Sequence, residues 1–201
     1  MKPQIEESLK KMAVILKEMI DLIYQGLMKN DEYYFNSALN KERAVDELEK
    51  AITADIVECS KQADEAATGA LVTIGQVALN LERIGDELRY LMERIEIKIA
   101  ESLYFSDEGV AQYKEVFSKM RRSVDGVVDF LGTRNENLLD EILSNGLEIK
   151  DMIEQYRVKH MERVTRGICQ PMAANVFFDM LDFTGNAARH CTNIAKLYKG
   201  K

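Results

Sequence analysis

The sequence contains no tryptophan, only two prolines, two histidines and three cysteines in 201 residues, and each shortage removes a class of answer. With prolines only at Pro3 and Pro171, nothing between them forces a helix to break by deleting a backbone donor. Cys59, Cys169 and Cys191 are odd in number, isolated and without a C-x-x-C pair. Neither a disulfide framework nor a zinc knuckle is signalled, and a reducing cytoplasm is the expected compartment. His160 and His190 have Arg157 and Ala187 three residues before them, so the Glu-x-x-His of ferritin-like di-iron oxidases is missing. A packed or surface role is the expectation for both. There is no phosphate-binding G-x-x-x-x-G-K-S/T, no dinucleotide G-x-G-x-x-G after a strand and no nucleophile elbow G-x-S-x-G. No run approaches the roughly 20 apolar residues that span a bilayer, and MKPQIEESLKK lacks the apolar centre of a signal peptide. A soluble chain with no direct membrane insertion is expected. Positive charge is the minority: a net charge of -7 excludes nonspecific nucleic-acid binding and favours basic partners or cations.

What remains is 46% hydrophobic residues, carried by Leu, Ile, Ala and Met among Glu and Lys, which is the composition of an all-α protein with a real core. Ile5, Leu9, Met12, Leu16, Met19, Ile20, Ile23 and Leu27 keep one helical stripe, predicting a helix from Ile5 to about Lys29, with Asn30 and Asp31 ending it. A second helix is predicted from about Asp31 to Lys61. A third, unusually long and with room for one break, runs from Ala63 to about Leu103. "YFSDEG", Tyr104 to Gly109, is the clearest central boundary, with Ser106 or Asp107 placed to cap the fourth helix. That helix is predicted over Asp107 to Leu131, a fifth over Asn137 to Val164, and a sixth over Pro171 to Tyr198. The many methionines, among them Met12, Met19, Met120, Met152, Met161, Met172 and Met180, read as filler of gaps in the core.

Three helices, a turn and three more predict an internal duplication, with repeats at 1–104 and 105–201. At an offset of 100, Leu81-Glu82-Arg83-Ile84-Gly85-Asp86 falls on Leu181-Asp182-Phe183-Thr184-Gly185-Asn186, and Arg89 falls on Arg189. A weaker match at 105 lays "VDELEKAI", Val45 to Ile52, over "KDMIEQYR", Lys150 to Arg157. Residues four apart share a helix face, so Glu82 with Asp86, and Asp182 with Asn186, can aim oxygen at one cation. The glycine between them costs a helix roughly 1 kcal/mol, and it bares the surface for a neighbouring helix or a hydrated ion. An ordinary solvated face, with Arg83 and Arg89 as partners, is the competing reading; the repetition of acid, glycine and oxygen in register favours the site.

"LERIGD" in a long helix, repeated as "LDFTGN" in a second three-helix unit, resembles the PhoU family of phosphate-signalling proteins. The resemblance implies six long helices in two tandem three-helix bundles, with multinuclear metal clusters held by acids on the third and second helices of each bundle. The first site would then comprise Glu82 and Asp86 with Asp46 and Glu42 or Glu49. The second would comprise Asp182, Asn186 and Asp151, with Glu154 and Asp179 in reserve, and is expected to be weaker because Asn186 is neutral. Iron, zinc, manganese, magnesium and calcium all suit oxygen ligands, so the residues do not choose the metal. The resemblance further implies a non-enzymatic cytoplasmic regulator of phosphate transport, homodimeric, contacting a phosphate transporter's ATPase and a sensor histidine kinase. Two alternatives stay open: a PhoU-like regulatory domain of a sodium–phosphate cotransporter, and a carboxylate metalloenzyme or metal-storage bundle.

Overall fold

The computed structural model describes residues 3–200; Met1, Lys2 and Lys201, at the outer ends of the two repeats, lie outside it. Six helices follow one another: α1 (Pro3–Lys29), α2 (Tyr33–Ser60), α3 (Glu65–Ala100), α4 (Asp107–Thr133), α5 (Asn137–Thr165) and α6 (Pro171–Lys199). Their starts and stops have local causes. Asn30 takes a left-handed conformation, φ 50°, after α1, and Asp31 accepts from the amide of Tyr33 at the start of α2. Asp64 caps α3 by accepting from Ala67 N at 2.8 Å, and Ser106 caps α4 by accepting from Gly109 N at 3.2 Å. Pro171 occupies the first turn of α6, where its missing donor costs nothing. The third helix has no break: its 36 residues rise through roughly 54 Å.

The stripes read from the sequence are the buried ones. Ile5, Leu9, Met12, Leu16, Met19, Ile20 and Ile23 are all at most 1% exposed, and Leu81, Ile84, Leu88 and Leu91 of α3 match them. Met12, Met19, Met120 and Met180 fill the core as expected, but Met161 and Met172 do not: they are 48% and 58% exposed.

Within each repeat the three helices pack on one another, and the repeats meet along α3 against α6 and α1 against α4. Both inter-repeat contacts are antiparallel. Along α3 and α6, Asn80 meets His190, Glu87 meets Asn186, Tyr90 meets Phe183, and Arg94 meets Asp179. Along α1 and α4, Lys17 pairs with Asp125 and Asp21 with Arg121. Asp21 and Arg121 are one repeat apart, as Glu87 and Asn186 nearly are, so each touches its own counterpart. That is possible only close to an axis relating the repeats, and it places the two glycine motifs side by side at the crossing of α3 and α6. The axis leaves α2 and α5 on the outside, each touching only the helices of its own repeat.

Candidate functional site

On the first repeat, the α2–α3 face gathers five carboxylates. Glu42 is 8% exposed, and Asp46, Glu49, Glu82 and Asp86 are half-buried. The helical period explains the set: Glu42, Asp46 and Glu49 lie three to four residues apart on α2, and Glu82 and Asp86 four apart on α3. The Glu82 carboxyl is pushed up to about 7, first by burial, then by the charges of Asp86, Asp46 and Glu49 and by the hydrogen bond it shares with Asp86. Burial and the neighbouring Asp46 also raise Glu42, against the pull of Arg89.

Arg89 is a cation inside this patch. Its guanidinium reaches Glu42 at 3.2 Å, Asp86 at 3.4 Å and Glu93 at 3.1 Å, and it lies over the Tyr90 ring at 4.3 Å. Glu93 is a member that the sequence pattern did not mark; it stands one turn beyond Arg89, outside the six-residue motif. As placed, the carboxylates turn toward Arg89 and one another, and among the described residues no three His, Cys, Asp or Glu side chains converge on a single point. The donor set nevertheless suits a hard cation: it has five carboxyl groups, an arginine to offset them, and a carboxyl at Glu82 that burial and the neighbouring acids push up to about 7.

The second repeat keeps the helices and changes the chemistry. The residue facing each motif glycine fixes the register: a Cβ on Gly85 would meet Val45 at 3.8 Å, and one on Gly185 would meet Ile153 at 2.5 Å. Val45 therefore corresponds to Ile153, an offset of 108 rather than the 105 of the sequence match. The exposed ion pair Glu18–Lys41 recurs with its charges exchanged as Lys119–Glu148, at nearly the same offset. In this register Glu42, Asp46, Glu49, Glu82 and Asp86 become Lys150, Glu154, Arg157, Asp182 and Asn186. Five acids are replaced by two acids, an amide and two cations. Arg157, standing where Glu49 stands, forms an ion pair with Asp182, the counterpart of Glu82. Asn186 accepts from Arg189 at 3.3 Å, a neutral copy of the Asp86–Arg89 pair, and donates to Glu87 at 3.2 Å. Asp179 pairs with Arg94 at 3.6 Å across the inter-repeat contact, while Asp151 and Glu154 stay exposed on α5. The acids proposed for the second site thus face different partners, and the donor set there does not fit a multiply charged cation.

The two glycines differ as well. A methyl on Gly185 would displace the Cδ1 end of Ile153, 2.5 Å away, whereas one on Gly85 would make only ordinary contacts, the nearest with Leu16 at 3.6 Å. Both histidines are buried and separate from the acids. His160 stacks on Phe177 with ring centroids 4.3 Å apart, and His190 shares a hydrogen bond of 3.0 Å with Asn80 between the repeats. Burial first, and neighbouring arginines second, lower each to about 4. No described helix is long and apolar enough to cross a membrane.

Fold and site together define a duplicated three-helix-bundle protein that carries an acid patch on one repeat and a neutralised counterpart on the other. Residues 9–95 match the family model of the PhoU domain. The whole chain is similar in fold to PhoU from Pseudomonas aeruginosa, with a TM-score of 0.86 at 17% identity over 98% of this chain and 97% of that one. It is likewise similar to the phosphate transport system regulatory protein PhoU from Streptococcus pneumoniae, with a TM-score of 0.84 at 13% identity over 98% and 95%. Comparison with curated protein sequences finds no match.

Proposed function

We propose that this chain is a PhoU-like regulator of phosphate transport and phosphate signalling that works by protein–protein contact in the cytoplasm rather than by catalysis. The observation that carries the reading is a coincidence of position: the stretch matching the PhoU domain, residues 9–95, contains the whole acid patch. A phosphate transporter's ATPase and a sensor histidine kinase are the partners, and the working unit is a homodimer. In the first repeat Glu82 and Asp86, with Asp46, Glu49 and Glu42, hold a divalent or iron ion, for which Arg89 is the built-in substitute. A bound ion would supply the positive charge that this face lacks, aligning α2 against α3 for partner contact. The neutralised second repeat takes no part in that binding.

Deleting the gene in its host and measuring phosphate uptake in phosphate-replete medium tests the regulatory reading. Uptake should lose its repression by phosphate, with restoration by the intact gene. Unchanged uptake and unchanged phosphate-responsive transcription would defeat it.

A further inference from the structure

The two repeats share a corner that they finish differently. Where α1 and α4 end, Asn30 and Arg134 take the same left-handed conformation, φ 50° and 59°, at equivalent places in the chain. In each corner that residue bonds to the last turn of its own repeat's third helix. Lys98 Nζ donates to Asn30 Oδ1 at 2.8 Å, and Arg134 Nη1 donates to the Tyr198 hydroxyl at 3.3 Å. Lys98 and Tyr198 are themselves separated by the interval of the two glycine motifs, so one cation stands in each corner, on opposite members of an equivalent pair. In the second corner the cation is neutralised, because Glu6 at the start of α1 meets Arg134 at 3.5 Å. Counted from Asn30 and Arg134, the position equivalent to Glu6 is Val110, at the start of α4. The acid is missing where Lys98 stands.

A cavity of about 220 Å³ opens there, at the seam between the repeats, walled by Leu27, Met28, Phe105 and Val110 together with Lys98 and Asn30. None of its lining residues is acidic. Lys98 is half-buried, its Nζ lies 5.7 Å from the centre of the Phe105 ring, and among the described residues no carboxylate pairs with it. Burial lowers its pKa, with no neighbouring charge acting against that. Of the acids close by in sequence, Asp31 accepts from the amide of Tyr33 at 3.0 Å and Glu108 pairs with Arg163 at 3.3 Å. An ammonium held partly out of water without a counter-ion costs free energy, and an anion entering the cavity would recover it.

We propose that this cavity binds a small monocarboxylate with an apolar body, of which benzoate is the type. The carboxylate sits on Lys98 Nζ and the Asn30 side-chain N–H, and the ring lies among Leu27, Met28, Phe105 and Val110. With its oxygen engaged by Lys98, the Asn30 amide has donors left to offer. Sites for drug-sized ligands run to about 300–1,000 Å³, so this smaller volume selects a ligand of about ten non-hydrogen atoms. One lysine balances one negative charge, whereas a phosphate dianion would leave a second charge against apolar walls. The site stands apart from the acid patch, and neither the metal nor the regulatory reading depends on it.

The test follows the fluorine NMR signal of para-fluorobenzoate mixed with the full chain. Saturable binding is expected, with a dissociation constant of roughly 0.1–1 mM for a ligand of this size, and unlabelled benzoate should displace the probe. Lys98→Met keeps the side chain's length without its charge and should weaken binding by about tenfold or more. Val110→Glu supplies the acid that the other corner has and should abolish binding, while Glu6→Val, in that other corner, should leave it unchanged. The neutral para-fluorobenzamide should bind about tenfold more weakly or worse, and excess inorganic phosphate should not displace the probe. Thermal unfolding checks that every variant is folded. The proposal is overturned by the absence of saturable binding up to about 10 mM, or by unchanged affinity in Lys98→Met or Val110→Glu. Equal binding of the benzamide, displacement by phosphate, or loss of binding in Glu6→Val overturns it as well.

Discussion

Glu82→Gln removes a charge that the folded chain holds at a cost. In the fold the Glu82 carboxyl titrates at about 7; in the unfolded chain it returns to its ordinary value of 4.5. At roughly 1.4 kcal/mol per pH unit this gap corresponds to about 3 kcal/mol, and solvent on the exposed side of the half-buried carboxyl screens it to roughly 1–2 kcal/mol. The sign is set by linkage. Between 4.5 and 7 the folded state binds the proton and the unfolded state does not, so this group's contribution favours folding at low pH and is lost as pH rises through 7. Glutamine keeps the shape and the hydrogen bond to Asp86 without the charge. In chelator-treated protein at pH 8, Glu82→Gln should therefore raise the melting temperature by roughly 2–8 °C, taking about 2–4 °C per kcal/mol for a chain of this size. Below pH 4.5 the two proteins should melt together. Thermal unfolding across pH 4 to 8 reads both halves. Equal melting at pH 8, or a less stable variant there, would refute the claim that acid crowding on this face is uncompensated.

The motif glycines should part company: Gly85→Ala gains up to about 1 kcal/mol of helix propensity while making only ordinary contacts, whereas Gly185→Ala pushes a methyl against the end of Ile153 and should lose roughly 0–2 kcal/mol net, both measured by urea unfolding. Arg157→Ala breaks an exposed pair with Asp182 and should cost less than about 1 kcal/mol in the same assay; a larger loss would mean the pair is structural. Restoring the first repeat's chemistry by Lys150→Glu, Arg157→Glu and Asn186→Asp together should give the second repeat a manganese-dependent rise in melting temperature, read in a Glu82→Gln/Asp86→Asn background, and no rise would count against the role given to the charge exchange. His160 and His190 are neutral in the fold and titrate near 4, so acidification should destabilise the chain from pH 6.5 down to 4, and His190→Asn should flatten part of that slope.

Every helix was legible because each stripe repeats at three and four residues, and because Asn30, Ser106 and Pro171 punctuate it with known local chemistry. The length of α3 was legible; its continuity was not, since nothing in a long run of helix formers distinguishes a bend from none. The acid patch was legible on α3, where Glu82 and Asp86 lie in one motif, and on α2, where the family resemblance named Glu42, Asp46 and Glu49. Arg89's grip on Glu42 joins residues 47 apart and has no sequence signature. The register of α5 against α2 was not legible, for a more specific reason. Charged-apolar helix patterns match at several offsets, and the one that looked best, 105, paired acids with acids. The packing of Ile153 on Gly185 sets 108, and in that register Arg157 stands where Glu49 does and Lys150 where Glu42 does. Register is a tertiary property: it is fixed by which apolar side chain fits opposite a bare helix surface, and no single helix contains that information.

The central claim is that one repeat holds a cation and its counterpart does not. Titrating chelator-stripped protein with manganese by calorimetry tests it most directly, with Glu82→Gln/Asp86→Asn and Asp182→Asn/Glu154→Gln measured in parallel. Saturable binding is expected, abolished by the first pair of substitutions and unchanged by the second. Absence of binding in the parent chain, or its loss on changing Asp182 and Glu154, would contradict the claim.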